Sequence, residues 1–230
     1  MDFKVELKKL NIEPSEDIMN KFELYYNKLV EVNSYMNLTA ITEHDQVYLK
    51  HFYDSLTIKK AIKGTNFNLL DVGAGAGFPS IPLAITDNNI NVTIIDSLNK
   101  RINFLNELTK YININNVKAI HARAEEYIKD NREKFDYVTA RAVARLNVLA
   151  ELCIPYVKLG GYFVALKGND KEEIDEAKSA ILTLGGKIEE VINFELPDGA
   201  GERNIVVIKK VKETPKKYPR IFKTIKEKPL

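Results

Sequence analysis

The sequence predicts an α/β protein: a mainly parallel, seven-stranded sheet with helices on both faces, a C-terminal antiparallel hairpin and a helical extension in front. Three observations predict it. Beyond Gly64, short apolar runs alternate with helical stretches. Such alternation needs right-handed crossovers between parallel strands. The last two runs are joined only by PDGAGE, residues 197–202, which is too short for a crossover helix, so they pair antiparallel. A turn with three glycines at alternate positions, DVGAGAGFPS from Asp71 to Ser80, follows the first run. In open α/β sheets, backbone meets ligand at such a turn.

Each element has its own signal. PSEDIMNKFELYYNKLVEVN opens on Pro14-Ser15-Glu16, a helix start, and Ile18, Phe22, Tyr25, Leu29 and Val32 recur at helical spacing. NLTAIT interrupts the pattern. EHDQVYLKHFYDSLTIKKAI resumes it with Val47, Tyr48, Phe52 and Leu56 on one face, and Gly64 closes the segment. The strands are NLLDV, NVTIID, VKAIHA, FDYVTARAV, GYFVALKG, GKIEEVINFEL and RNIVVIKK. Helices are expected over 81–86, 100–111, 124–130, 146–157 and 171–184. The chain then divides into a helical extension (1–64), a sheet domain (65–211) and a tail (212–230).

Charge marks the tail. The chain as a whole carries +2, but Lys209 to Leu230 holds nine Lys or Arg against two Glu, a net of +7. The other 208 residues are therefore net −5. A basic segment on an acidic body suits nucleic acid, or is simply a solvated terminus. The single cysteine, Cys153, excludes an internal disulfide and a multi-cysteine metal site. The opening MDFKVELKKL lacks a secretory layout, and no apolar run approaches the ~20 residues of a membrane helix. A cytoplasmic protein is expected.

Spacing decides what the glycine turn binds. Gly73, Gly75 and Gly77 do not match a dinucleotide fingerprint, whose sixth position here is Phe78. No Gly-Lys-Ser/Thr follows, so a P-loop is excluded as well. What remains, G-x-G-x-G after Asp71, resembles the cofactor turn of S-adenosylmethionine-dependent methyltransferases. That cofactor has no pyrophosphate, and its amino-acid end and ribose lie against the backbone, so Asp71, Gly73, Gly75, Gly77, Asp96 and Ser97 are expected to contact it. Asp96, which ends NVTIID with Ser97 after it, can accept from both ribose hydroxyls, or cap the helix that follows.

Together with NLTAIT and HFYDSL, the segments DVGAGAGFPSIPLAI, DSLNKRINFL, ARAEE, VTARAVARLNVLAELCIPYVKLGGYFVALKG and the tail YPR…KPL resemble the bacterial glucose-inhibited-division protein B family. These are small-subunit (16S) ribosomal RNA guanine-N7 methyltransferases. The resemblance runs from about Asn37 to the C-terminus. It implies a Rossmann-like class I methyltransferase fold, S-adenosylmethionine as cofactor, and contacts to it at Gly73, Phe78, Ala124, Glu125 and Arg141. Ala74 and Ser80 stand where many relatives have Ser and Gly. Glu125 can read the adenine edge or simply favour its helix's positive end. Arg141 can meet cofactor and target base or pair with a nearby acid.

The chemistry suits so plain a site. Guanine N7 has a free lone pair and no proton to lose, so in-line displacement needs alignment rather than a general base. TARAVA lacks the Asn/Asp-Pro-Pro-aromatic element of amino-group methyltransferases. Cys153 lies in a helical stretch and reads as a small buried residue. Arg123, Arg141 and Arg145 are expected on phosphate or guanine O6, with Arg141 positioning the base. Lys167, Lys216, Lys217, Arg220, Lys223, Lys226 and Lys228 are expected on RNA phosphate. Tyr218 and Phe222 are expected either on unpaired bases or packed back on the domain. His51, Asp54, Asn37 and Thr39 join the site or cap helices. No metal and a monomer are expected. Two other readings stay open: a cofactor-binding ribosome-assembly factor, and a small-molecule methyltransferase that leaves the tail idle.

Overall fold

The computed structural model describes residues 1–141 and 144–230, with Lys171 described by its backbone alone. Seven strands form one sheet in the order β3-β2-β1-β4-β5-β7-β6. They are β1 (Asn68–Val72), β2 (Asn91–Asp96), β3 (Val117–His121), β4 (Phe135–Arg141), β5 (Val157–Gly168), β6 (Gly186–Glu195) and β7 (Glu202–Lys210). The first five pair in parallel, whereas β7 runs antiparallel to both β5 and β6. Strand order reverses between β1 and β4, which places a crevice at their C-terminal ends.

Ahead of the sheet stand α1 (Phe3–Lys9) and α2 (Glu16–Met36). The Ser15 side chain caps α2, and Phe22, Tyr25, Leu29 and Val32 are its buried stripe. The next helix changes pitch three times: α3 (His44–Val47), a π-helical turn (Tyr48–Tyr53), α4 (Asp54–Leu56) and a 3-10 turn (Thr57–Lys60). Val47, Tyr48, Phe52 and Leu56 are all buried, as the spacing predicts. The π turn shifts the register at His51 and turns its ring toward the crevice, an arrangement common at functional sites.

Helices α5 (Ser80–Thr86) and α6 (Asn99–Tyr111) join the N-terminal helices in one hydrophobic cluster, while α7 (Ala124–Asn131), α8 (Leu146–Cys153) and α9 (Lys171–Thr183) form the core of another. Alternate strand residues divide between them. Leu69, Ile94, Val164 and Val207 face the first cluster, and Leu70, Ile95, Ala165 and Val206 the second. The tail ends in α10 (Phe222–Glu227), whose Ile225 is fully buried in the second cluster.

Helix α1 falls within the expected helical extension, which did not single it out. It is held by the Asp2 side chain on Val5 N–H and by edge contacts of Phe3 with Phe22 and Tyr48. Two boundaries differ from the sequence reading. The helix expected over 146–157 ends at Cys153, because Pro155 cannot continue it and forces a single 3-10 turn. Strand β5 then starts at Val157, ahead of Gly161. Ala142 and Val143, the end of the predicted FDYVTARAV strand, lie outside the described residues.

Candidate active site

The glycine turn is built by three different demands. Gly73 N–H donates to the Ile95 carbonyl at 2.8 Å, which continues the β1–β2 ladder into the turn. At Gly75, with φ +60°, an added Cβ would meet no protein atom within 4 Å. Its side of the turn opens onto a cavity of about 480 Å³. Gly77, with φ +108°, is the opposite case: a Cβ there would sit 2.6 Å from Ile81 Cγ1 and 2.8 Å from the Tyr25 hydroxyl. That hydroxyl donates to the Ala76 carbonyl at 2.7 Å and pins the turn to α2. Gly77 therefore packs the turn and does not line the cavity, contrary to its expected cofactor contact.

Asp71 also differs from expectation. Its carboxyl is fully buried beneath the turn, accepts from Ser80 N–H at 3.3 Å and does not line the cavity. Burial pushes it up to about 7. It ties the start of α5 to the end of β1 and supports the cradle from below.

Asp96 lines the cavity and holds its frame. One carboxylate oxygen accepts from Leu98 N–H at 2.9 Å; the other accepts from Gly75 N–H and Arg101 Nη1, both at 3.3 Å. Helix α6 begins only at Asn99, so Asp96 links turn to helix rather than capping it. Ser97 lines the cavity, as do Ala124 and Glu125 at the start of α7 and Phe78 after the turn. Arg123 lines it too, exposed, with Nη1 3.8 Å from Glu125 Oε1. Carboxylates at Asp96 and Glu125, exposed backbone at Gly73 and Gly75, and apolar walls from Val72, Ile95 and Leu152 match a nucleoside carrying an amino-acid arm. The residues present fit S-adenosylmethionine.

Arg141 closes the far end. Its guanidinium lies 4.7 Å from the Phe78 ring centre and donates to Ser55 Oγ at 3.1 Å. It stands 3.5 Å from Asp54 Oδ2, while Arg203 Nε donates to Asp54 Oδ1 at 3.0 Å. The His51 ring also stacks on Phe78, at 4.7 Å and 23°. His51 Nδ1 lies 3.2 Å from the Lys50 carbonyl and so carries the proton; Nε2 then accepts from Thr39 Oγ1 at 2.7 Å. Burial, then the Arg141 charge, pushes this imidazole down to about 4, so it is neutral.

Arg141 and His51 also line a second cavity of about 320 Å³, together with Lys50, Asp54, Lys167 and Arg203. Two cavities thus share one wall. Of the two N-terminal residues left between site and cap, Thr39 lines the first cavity, whereas Asn37 ends α2 in a left-handed conformation.

Several expected RNA contacts are engaged elsewhere. Lys167 lines the second cavity, but its Nζ is 2.6 Å from Glu173 Oε1 and donates to the Ala144 carbonyl at 2.9 Å. Arg145 pairs with Glu176 at 2.5 Å at the surface. Arg220 spends Nε and Nη2 on the fully buried Glu151, at 2.9 and 2.6 Å, and Tyr218 is buried against the domain. These two anchor the tail, so the packing-back alternative holds for Tyr218. Lys216, Lys217 and Lys223 are exposed.

Sequence reasoning missed Leu38, Arg101, Leu152 and Phe222 as cavity walls, and Lys50 and Arg203 around the second cavity. Leu38 lies inside the quoted NLTAIT, and Arg203 opens the last strand at the same sheet edge as Arg141. Leu152 and Phe222 carry no local signal. Among the described residues, no group of three or more His, Cys, Asp or Glu is placed to hold a metal, and no helix is long and apolar enough to cross a membrane.

Strand order, the glycine turn after β1 and the acid ending β2 define a Rossmann-like class I S-adenosylmethionine-dependent methyltransferase fold. A methyltransferase from Pyrococcus furiosus shares this fold, with a TM-score of 0.58 at 15% identity, over 84% of this chain and 99% of that one. So does M. jannaschii TYW2, solved in complex with AdoMet, at TM-score 0.53 and 20% identity over 67% of this chain and 74% of that one. The chain belongs to the rRNA small subunit methyltransferase G family, whose model matches residues 18–206. The ribosomal RNA small subunit methyltransferase G of Lachnoclostridium phytofermentans is 54% identical over 218 residues, 93% of this chain and 90% of that one.

Proposed function

We propose that this protein transfers a methyl group from S-adenosylmethionine to N7 of a guanosine in small-subunit ribosomal RNA. The observation that carries the reading, beyond family membership, is the wall shared by the two cavities. Arg141 and His51 line both. A donor held along Gly73, Gly75, Asp96 and Glu125 and a base entering past Lys50 and Arg203 would therefore meet there. The bound cofactor supplies an electrophilic methyl on sulfonium. The chain's own residues align the two partners and exclude water.

The second cavity supports displacement without a general base. Asp54, its only acid among the described residues, is tied to both Arg141 and Arg203. Both His51 nitrogens are engaged with protein. Guanine N7 needs no proton removed, so neither group has to act as a base. Arg141, which lines both cavities, would donate to guanine O6 and turn N7 toward the methyl. The exposed Lys216, Lys217 and Lys223 are assigned to RNA phosphate. In this reading the protein works in the cytoplasm as a monomer without a metal.

The test incubates the protein with methyl-labelled S-adenosylmethionine and unmodified small-subunit RNA, free and as particles, followed by chain cleavage at N7-methylguanine. One cleavage site in that RNA is the expected outcome. Label incorporated without cleavage would move the target to another atom.

A further inference from the structure

We infer that the C-terminal tail is part of the cofactor site: Phe222 closes the S-adenosylmethionine cavity, and the Glu151–Arg220 ion pair is the latch that holds it there. The inference rests on the cofactor assignment above. Phe222 is half-buried, lines the first cavity and packs against the second hydrophobic cluster beside Leu152. It opens α10, and Ile225, three residues on, is fully buried on the same face. A solvated basic terminus would show neither feature.

The latch is strong for a surface segment. Glu151 has no exposed surface, and it accepts from the Arg220 backbone N–H at 2.8 Å as well as from the guanidinium. A buried carboxylate is tolerated only with such a full set of donors. A second anchor lies upstream, where the buried Lys210 bonds the Ile154 carbonyl at 2.9 Å and Glu133 at 3.1 Å, and the same Glu133 accepts from Thr214 N–H at 2.9 Å. Between the anchors and beyond, Lys216, Lys217, Lys223 and Lys226 point outward. One strap thus carries a cofactor-facing ring inside and phosphate-binding charge outside.

The experiment measures binding of S-adenosylhomocysteine, the demethylated cofactor, by calorimetry, alongside thermal unfolding of each variant. Phe222→Ala should weaken binding about tenfold while unfolding within a few degrees of the wild type, as expected for losing one aromatic wall. Phe222→Leu should restore most of the affinity. The double variant Glu151→Gln with Arg220→Gln, which leaves no buried charge, should weaken binding by a similar factor while remaining folded; unchanged affinity in it would overturn the latch. Unchanged affinity in a folded Phe222→Ala protein would overturn the inference. No binding to the wild-type protein would overturn the cofactor assignment instead.

Discussion

The Arg141 guanidinium sits over the Phe78 ring at 4.7 Å, joining the end of β4 to the glycine turn after β1. Neighbouring strands β1 and β4 run in register below them, with Asp71 opposite Thr139. The contact therefore spans the point where strand order reverses. Arg141 belongs to the wall that the two cavities share.

Replacing Arg141 by Ala should lower methyl transfer by about a hundredfold or more, in line with the loss of one positioning or charge-stabilising group. Stability should fall less, because Arg203 still neutralises Asp54. Arg141→Lys should not rescue activity, since a lysine cannot stack on Phe78 and reach Ser55 and Asp54 together. Single-turnover rates and urea midpoints separate the two effects. Loss of rate only in proportion to loss of fold would refute a positioning role.

The two glycines should separate binding from folding. Gly75→Ala is predicted to weaken cofactor binding with little change in unfolding beyond about 1 kcal/mol of backbone strain. Gly77→Ala drives a Cβ into Ile81 and Tyr25 and should cost about 2–3 kcal/mol of stability. Calorimetry and thermal unfolding on both variants check the crossover.

The pH dependence has two opposing parts. The folded His51 value, about 4, lies below its ordinary 6.5, so its contribution is full above pH 6.5 and is lost as pH falls through 4. The folded Asp71 value, about 7, lies above its ordinary 3.8, so its contribution is full below 3.8 and is lost as pH rises through 7. Between 4 and 6.5 the slopes oppose each other. Asp71→Asn removes one of them, and the variant should lose stability on acidification more steeply than the wild type. Urea midpoints from pH 4 to 8 test this. The His51 ring signals in NMR should stay those of a neutral imidazole at pH 5.

Lys216→Ala and Lys217→Ala should each weaken RNA binding and reduce its salt slope by about 0.7–0.9, as expected for one lost phosphate contact. Cofactor affinity should not move, because both side chains are exposed and neither lines the cofactor cavity. Filter binding across a salt series gives both quantities.

Local sequence specifies the strands, their parallel direction up to the closing hairpin, and the glycine turn, but not the order in which the strands lie. Each of these follows from local periodicity or from spacing within about ten residues, and backbone geometry converts such spacing directly into position. Asp96 was legible as the end of its strand, whereas Ala124, Glu125 and Arg141 were picked out by the family resemblance; the fold lines one cavity with all four. The tertiary structure alone decided what each side chain is free to do. Asp71 and Gly77 belong to the same motif as Gly75, yet packing against Ser80 and Tyr25 turns them into supports beneath the cradle. Lys167 and Arg220 look like their basic neighbours in sequence, but Glu173 and Glu151 already engage them. Phe222 reaches the cavity across the fold because α10 docks on α8. Charge and ring chemistry are written in the chain; which partner satisfies them depends on residues far apart along it, and only folding brings those together.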